Sequence, residues 1–96
     1  MAIQVDLRHE ACEPFEALEG VFLRAAHLPD YNDGRFPYLR LVDPYGDTVF
    51  GSSQMVVVIP ELEALLKERP SPEIEAVLAA ARKCVNRRLY LRFIGD

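Results

Sequence analysis

FPYLRLVDPYGDTVF, residues 36–50, is the stretch on which the reading of the fold turns. Two runs rich in β-formers flank DPYGD at 43–47. Pro44 presets one turn dihedral, Gly46 supplies a positive φ that its neighbours would resist, and Asp43 and Asp47 can accept hydrogen bonds from nearby backbone N–H groups. The segment therefore predicts a hairpin. Its first strand places Leu39 and Leu41 on one face and Tyr38, Arg40 and Val42 on the other, and its second strand is short, 48–50, stopped by Gly51-Ser52-Ser53.

Upstream, PDYNDGR at 29–35 carries turn-formers without periodicity and predicts an exposed loop leading into the hairpin. Residues 2–8 alternate Ile3, Val5 and Leu7 with Gln4, Asp6 and Arg8, the period of a strand buried on one face. After Pro14 the spacing changes. Phe15, Leu18, Val21, Phe22 and Ala25 form a stripe at helical spacing, which predicts a helix over 14–28 with a weak point at Gly20.

Downstream, Met55 to Ile59 reads MVVVI, which is β-branched like a buried strand, while Ile59, Leu62, Leu65 and Leu66 keep helical spacing. The preferred reading is a helix over 56–67 that carries Pro60 near its start. The alternative is a fourth strand at 55–59 with Pro60 opening the helix. Ser71-Pro72-Glu73 writes a helix start with a hydroxyl cap, a first-turn proline and acids at the positive end of the dipole, and Asn86 is the expected left-handed terminator. The final run, 89–94, alternates Leu89, Leu91 and Phe93 with Tyr90, Arg92 and Ile94 and predicts the last strand.

The element order is then β-α-β-β-α-α-β. Burying every stripe at once calls for a two-layer α+β fold, a mixed four-stranded sheet with helices on one face, in a single domain spanning 1–96. A formal charge of −4 and a pI near 5.1 argue against a chain that wraps nucleic acid or coats an anionic membrane. No apolar run reaches the roughly 18 residues of a membrane span, and no leader pattern opens the chain, so the expectation is a soluble cytoplasmic protein. Cys12 and Cys84 lack paired spacing and read as free thiols.

DPYGDTVF at 43–50, ELEALL from Glu61 and YLRFIGD at 90–96, together with the first strand, resemble a group of small, single-domain, uncharacterised bacterial proteins. The resemblance covers most of the chain, with the hairpin its most specific part. It implies a bacterial, free-standing protein and carries no activity, cofactor or catalytic residue across. Pro60 departs from the uninterrupted helix of that group.

Two constellations carry chemistry. Asp43, Asp47 and Asp96 would converge on a hard divalent cation if the last strand lay beside the first strand of the hairpin, although both turn aspartates are as readily explained as caps of their own turn. His9 and His27 flank Cys12 without the third group and pocket that nucleophilic catalysis needs, and no catalytic residue is assigned. The second constellation is a sheet face. If the leucines point to the helices, Tyr38, Arg40, Tyr90 and Arg92 point outward, joined by Gln4, Asp6 and Arg8. Tyrosine and arginine are enriched where proteins bind proteins, so the sequence predicts a non-enzymatic interaction or regulatory domain, with no cofactor, that meets a protein partner or a second copy. The alternative is a small enzyme or metal-binding protein using the aspartate end.

Overall fold

A computed structural model describes residues 2–9 and 14–95. Its elements are β1 (Ile3–Arg8), β2 (Pro14–Leu23), β3 (Asp47–Phe50), α1 (Met55–Glu68), α2 (Pro72–Arg87) and β4 (Tyr90–Ile94). The protein is α+β: the described strands form one antiparallel sheet in the order β2-β1-β4-β3, rather than the mixed sheet expected. The helices lie on one side of it, with α2 against β1, β2 and β4 and with α1 against α2. Among the described residues no helix is long and apolar enough to cross a membrane.

Strand alternation fixes the two faces. Val5 stands opposite Phe93, Leu7 opposite Leu91 and Phe50 opposite Leu91, and all of these are buried on the helix side. From the helices come Met55, Val58, Leu62 and Leu65 of α1 and Ile74, Val77, Ala81 and Cys84 of α2, all buried. Burial pushes the Cys84 thiol up to about 11, which leaves it an inert, unpaired core group. Cys12 lies outside the described residues.

The expected helix over 14–28 is instead β2. Asp6 and Gln4 lie two apart on β1, while their partners Ala17 and Phe22 lie five apart, so β2 carries an inserted irregularity across 18–21 that includes Gly20 at φ 76. Those extra residues break the two-residue period and bring Phe15, Leu18 and Val21, three apart, to pack against the core. That spacing is what imitated a helix.

The first strand of the expected hairpin is absent as well. Residues Leu39–Leu41 form a 3-10 turn, with Leu39 and Val42 buried and Leu41 46% exposed. Helical spacing of three has replaced strand alternation there. The reason lies on α1: the buried Glu61 carboxylate accepts the Tyr38 N–H at 3.2 Å and the Leu39 N–H at 2.9 Å, satisfying the donors that a sheet neighbour would have taken. The preceding loop is tied down by arginines. Arg69 donates to the carbonyls of Ala26 and Leu28, and Arg35 bridges Asp33 and Glu68. Hydrogen bonds from Arg35 hold the Asp33 carboxyl below its usual value.

Of the two readings of residues 55–59, the helix forms and the strand does not, and the second helix keeps its expected start. α1 begins at Met55 after a 3-10 turn in which Gln54 Oε1 accepts the Gly51 N–H at 2.7 Å, and it runs on through Pro60. Ser71 caps α2 by accepting the Ile74 N–H at 3.3 Å. The left-handed terminator of α2 is Arg88, at φ 55 and ψ 48, two residues beyond the expected Asn86.

Candidate functional site

With both helices on one side, no described element covers the opposite face of the sheet. It is built by the other half of each strand's alternation: Gln4 opposite Ile94, Asp6 opposite Arg92, Arg8 opposite Tyr90, and Val49 opposite Arg92. At its centre Arg92 grips Asp6 through a two-pronged ion pair, Nε to Oδ1 at 3.1 Å and Nη2 to Oδ2 at 2.9 Å. Arg8 Nη2 reaches the same Asp6 oxygen at 3.3 Å, and Arg92 Nη1 reaches Asp47 at 3.4 Å. Among the described residues, charges therefore run Arg8, Asp6, Arg92, Asp47 across three strands.

Apolar groups surround this row. Val49 is 47% exposed and Phe22 is 45% exposed. Beside Phe22, the irregularity in β2 opens a hollow of about 260 Å³, lined on the sheet side by Gln4, Asp6 and Ile94 and on the β2 side by Leu18 and Gly20. Charge and hollow together make a face with specific features rather than a smooth solvated surface.

The four residues expected to share this face do not all reach it. Tyr90 and Arg92 sit on it. Tyr38 and Arg40 do not, because the strand that was to orient them is a 3-10 turn on the helix side of β3. There the Tyr38 ring stacks on Phe50, with centroids 5.8 Å apart, and its contact with the core leaves it partly buried. Arg40 donates to the Tyr31 carbonyl at 3.1 Å and lies near the Tyr31 ring, beside a separate cavity of about 250 Å³ that Ile3, Leu28 and Val42 also line.

The aspartate end is organised as a turn. Asp43 Oδ1 accepts the Tyr45 N–H at 2.8 Å, and Thr48 Oγ1 accepts the Asp43 N–H at 2.9 Å. Asp47 turns to Arg92, and Asp96 lies outside the described residues. The last strand runs beside β3, so the chain end meets the turn from that side: the Gly95 N–H donates to the Gly46 carbonyl at 2.8 Å. A Cβ at Gly95 would come within 2.6 Å of backbone atoms of Pro44 and Gly46, so only glycine fits. Among the described residues no group of three His, Cys, Asp or Glu side chains is placed to hold a metal ion.

The histidines are separated too. His27 ends a 3-10 turn, with Nδ1 accepting the Arg24 N–H at 2.9 Å, and His9 packs edge-on against Phe15. Sequence reasoning missed Phe22, Val49 and the hollow, because each depends on β2 being a strand or on β3 pairing with β4. It also missed Glu61. Its one visible signal was an acid among the buried-face spacings of α1, between Val58 and Leu65.

No protein family, curated protein or solved structure matches this chain.

Proposed function

We propose that this protein is a small non-enzymatic interaction or regulatory domain that engages a protein through the outer face of its sheet, with Tyr90 and Arg92 at the contact. The observation that carries the reading is the make-up of a face that no described element covers: exposed Phe22 and Val49 flank a fixed Arg92–Asp6 pair, which combines apolar area with directional polar groups. Tyr38 and Arg40 belong to the helix side and are left out of the surface. A bacterial, cytoplasmic setting is part of the same proposal, supported for the compartment by the free thiol of Cys84.

The metal-binding or enzymatic alternative at Asp43, Asp47 and Asp96 has weaker support, since Asp43 serves its own turn and Asp47 an arginine. Crosslinking tests the leading reading. A photo-crosslinker at position 49 should capture a discrete protein in cells, and that protein, once identified and purified, should rebind the wild type. Val49→Arg should lose this binding, whereas Glu75→Arg on the helix layer should keep it. Equal loss from both variants, or no specific crosslink at position 49, would exclude the sheet face as the contact.

A further inference from the structure

We infer that the cavity between the 25–31 loop and the Leu39–Leu41 turn is a binding site for a free α-amino acid with an apolar side chain, its carboxylate held by Arg40 and its ammonium by Asp30. The site lies off the outer face of the sheet and stands independently of the reading above.

Charge is the first argument. Arg40 and Asp30 both line this cavity of about 250 Å³. Arg40 is half-buried: its Nη1 donates to the Tyr31 carbonyl at 3.1 Å, and its Nε is buried without a hydrogen-bond partner among the described residues. Among those residues Arg40 forms no ion pair, and Asp30, exposed at the same cavity, forms none either. A guanidinium drawn partly out of water without a counter-charge gains most from a carboxylate that can lie beside it. A simple anion would also meet the like charge of Asp30, and a simple cation that of Arg40. An α-amino acid, with carboxylate and ammonium on one carbon, satisfies both.

The lining supplies the rest. Ile3, Leu28 and Val42, all buried, give the cavity apolar surface, and Tyr31, 69% exposed, adds a ring whose centroid is 6.0 Å from the Arg40 guanidinium carbon. Such walls match an aliphatic or aromatic side chain. Pockets for drug-sized ligands start at about 300 Å³, so this one suits a single small metabolite rather than a nucleotide. Its walls are also fixed in advance. Arg69 donates to the carbonyls of Ala26 and Leu28, and the Asp33 N–H donates to the Asp30 carbonyl at 2.9 Å. A loop already held in place spares the ordering cost of binding.

Titration of the full chain with L-leucine, L-valine and L-phenylalanine, followed by calorimetry and by amide NMR shifts, tests the assignment. At least one should bind with a Kd of about 10 μM to 1 mM, as suits a ligand of this size. The shifts should cluster at 25–31 and 39–44. For the tightest of the three, the analogue without the amino group and the analogue without the carboxylate should each bind at least about fivefold more weakly. For leucine these are 4-methylpentanoate and 3-methylbutylamine. Arg40→Gln should weaken the amino acid at least about fivefold and leave the amine no weaker, whereas Asp30→Asn should weaken the amino acid and leave the carboxylate analogue no weaker.

Absence of binding by all three at about 10 mM, or shifts centred elsewhere, would overturn the site. Either analogue binding as tightly as the amino acid, or glycine doing so, would overturn the ligand class. Should Arg40→Gln not fold, because Arg40 ties down the Tyr31 carbonyl, Asp30→Asn changes an exposed side chain that makes no hydrogen bond among the described residues, and undiminished amino-acid binding by that variant would overturn the proposal equally.

Discussion

β2 and α1 carry opposite local signals and adopt opposite structures. β2 has apolar residues at helical spacing and no proline after its first residue, yet it is a strand; α1 opens on a β-branched run and contains Pro60, yet it is a helix. Neighbours explain the inversion. Next to β2 runs β1, whose backbone donors and acceptors on that side need partners, and the chain supplies them at the cost of a three-residue irregularity. Beside α1 runs α2, which offers a groove rather than a sheet edge, and Met55, Val58, Leu62 and Leu65 fit it at intervals of three and four. Short apolar runs thus take the period of the surface they meet.

The largest effect that sharpens this contrast is expected at Glu61, where α1 dictates a conformation elsewhere. Glu61→Ala leaves the N–H groups of Tyr38 and Leu39 without their acceptor in a buried setting, and should cost about 3 kcal/mol in urea denaturation. Glu61→Gln keeps an acceptor oxygen and should cost roughly half as much. An alanine variant within about 0.5 kcal/mol of wild type would show that the 3-10 turn holds itself without α1.

Second comes Gly20, where β2 departs from strand geometry. Its φ of 76 is strained for a residue with a side chain, while a Cβ there meets nothing within 4 Å. Gly20→Ala should therefore cost about 1–2 kcal/mol from backbone strain alone, and Gly20→Asn less, because asparagine tolerates this region. Equal costs for the two variants would mean that something other than φ sets the requirement.

Legibility follows the same division. Elements whose signals are local were readable: the alternation of β1 and β4 and the Ser71-Pro72 cap of α2 each depend on residues close in sequence. The elements misread depend on distant partners. β2 is a strand because of β1, and the turn at Leu39–Leu41 exists because a carboxylate 22 positions away satisfies its donors. The candidate site divides likewise, with Tyr90, Arg92, Asp6 and Arg8 legible from alternation. Phe22 and Val49 were hidden by a helix and a hairpin that do not form.

Pro60 is the third way to break the comparison. Its ring removes the bond that the Val56 carbonyl would have accepted, and both residues are exposed, Val56 by 77%, so the orphaned acceptor faces solvent rather than the core. Pro60→Ala should stabilise the protein by about 1 kcal/mol: the intrinsic gain of alanine in a helix is larger, but restored freedom in the unfolded chain offsets part of it. Destabilisation on this change would mean that the proline sets the start of α1 rather than being tolerated by it.

The smallest effect is expected at Gly46, where the sequence placed the positive φ that the structure places at Gly20 instead. An added Cβ at Gly46 approaches the Asp43 carboxylate, 2.8 Å from Oδ2, which is the free end of a side chain and can give way. Its other oxygen, Oδ1, holds the Tyr45 N–H, so a small rotation weakens one exposed hydrogen bond and nothing in the core. Gly46→Ala should then cost no more than about 0.5 kcal/mol, within the ordinary range for surface changes. Thermal melting of Gly46→Ala beside Gly20→Ala separates the two accounts. If Gly46→Ala is the more damaging of the pair, the turn at 43–47 controls the fold as its sequence suggests; the reverse order assigns the strained position to β2, where pairing with β1 put it.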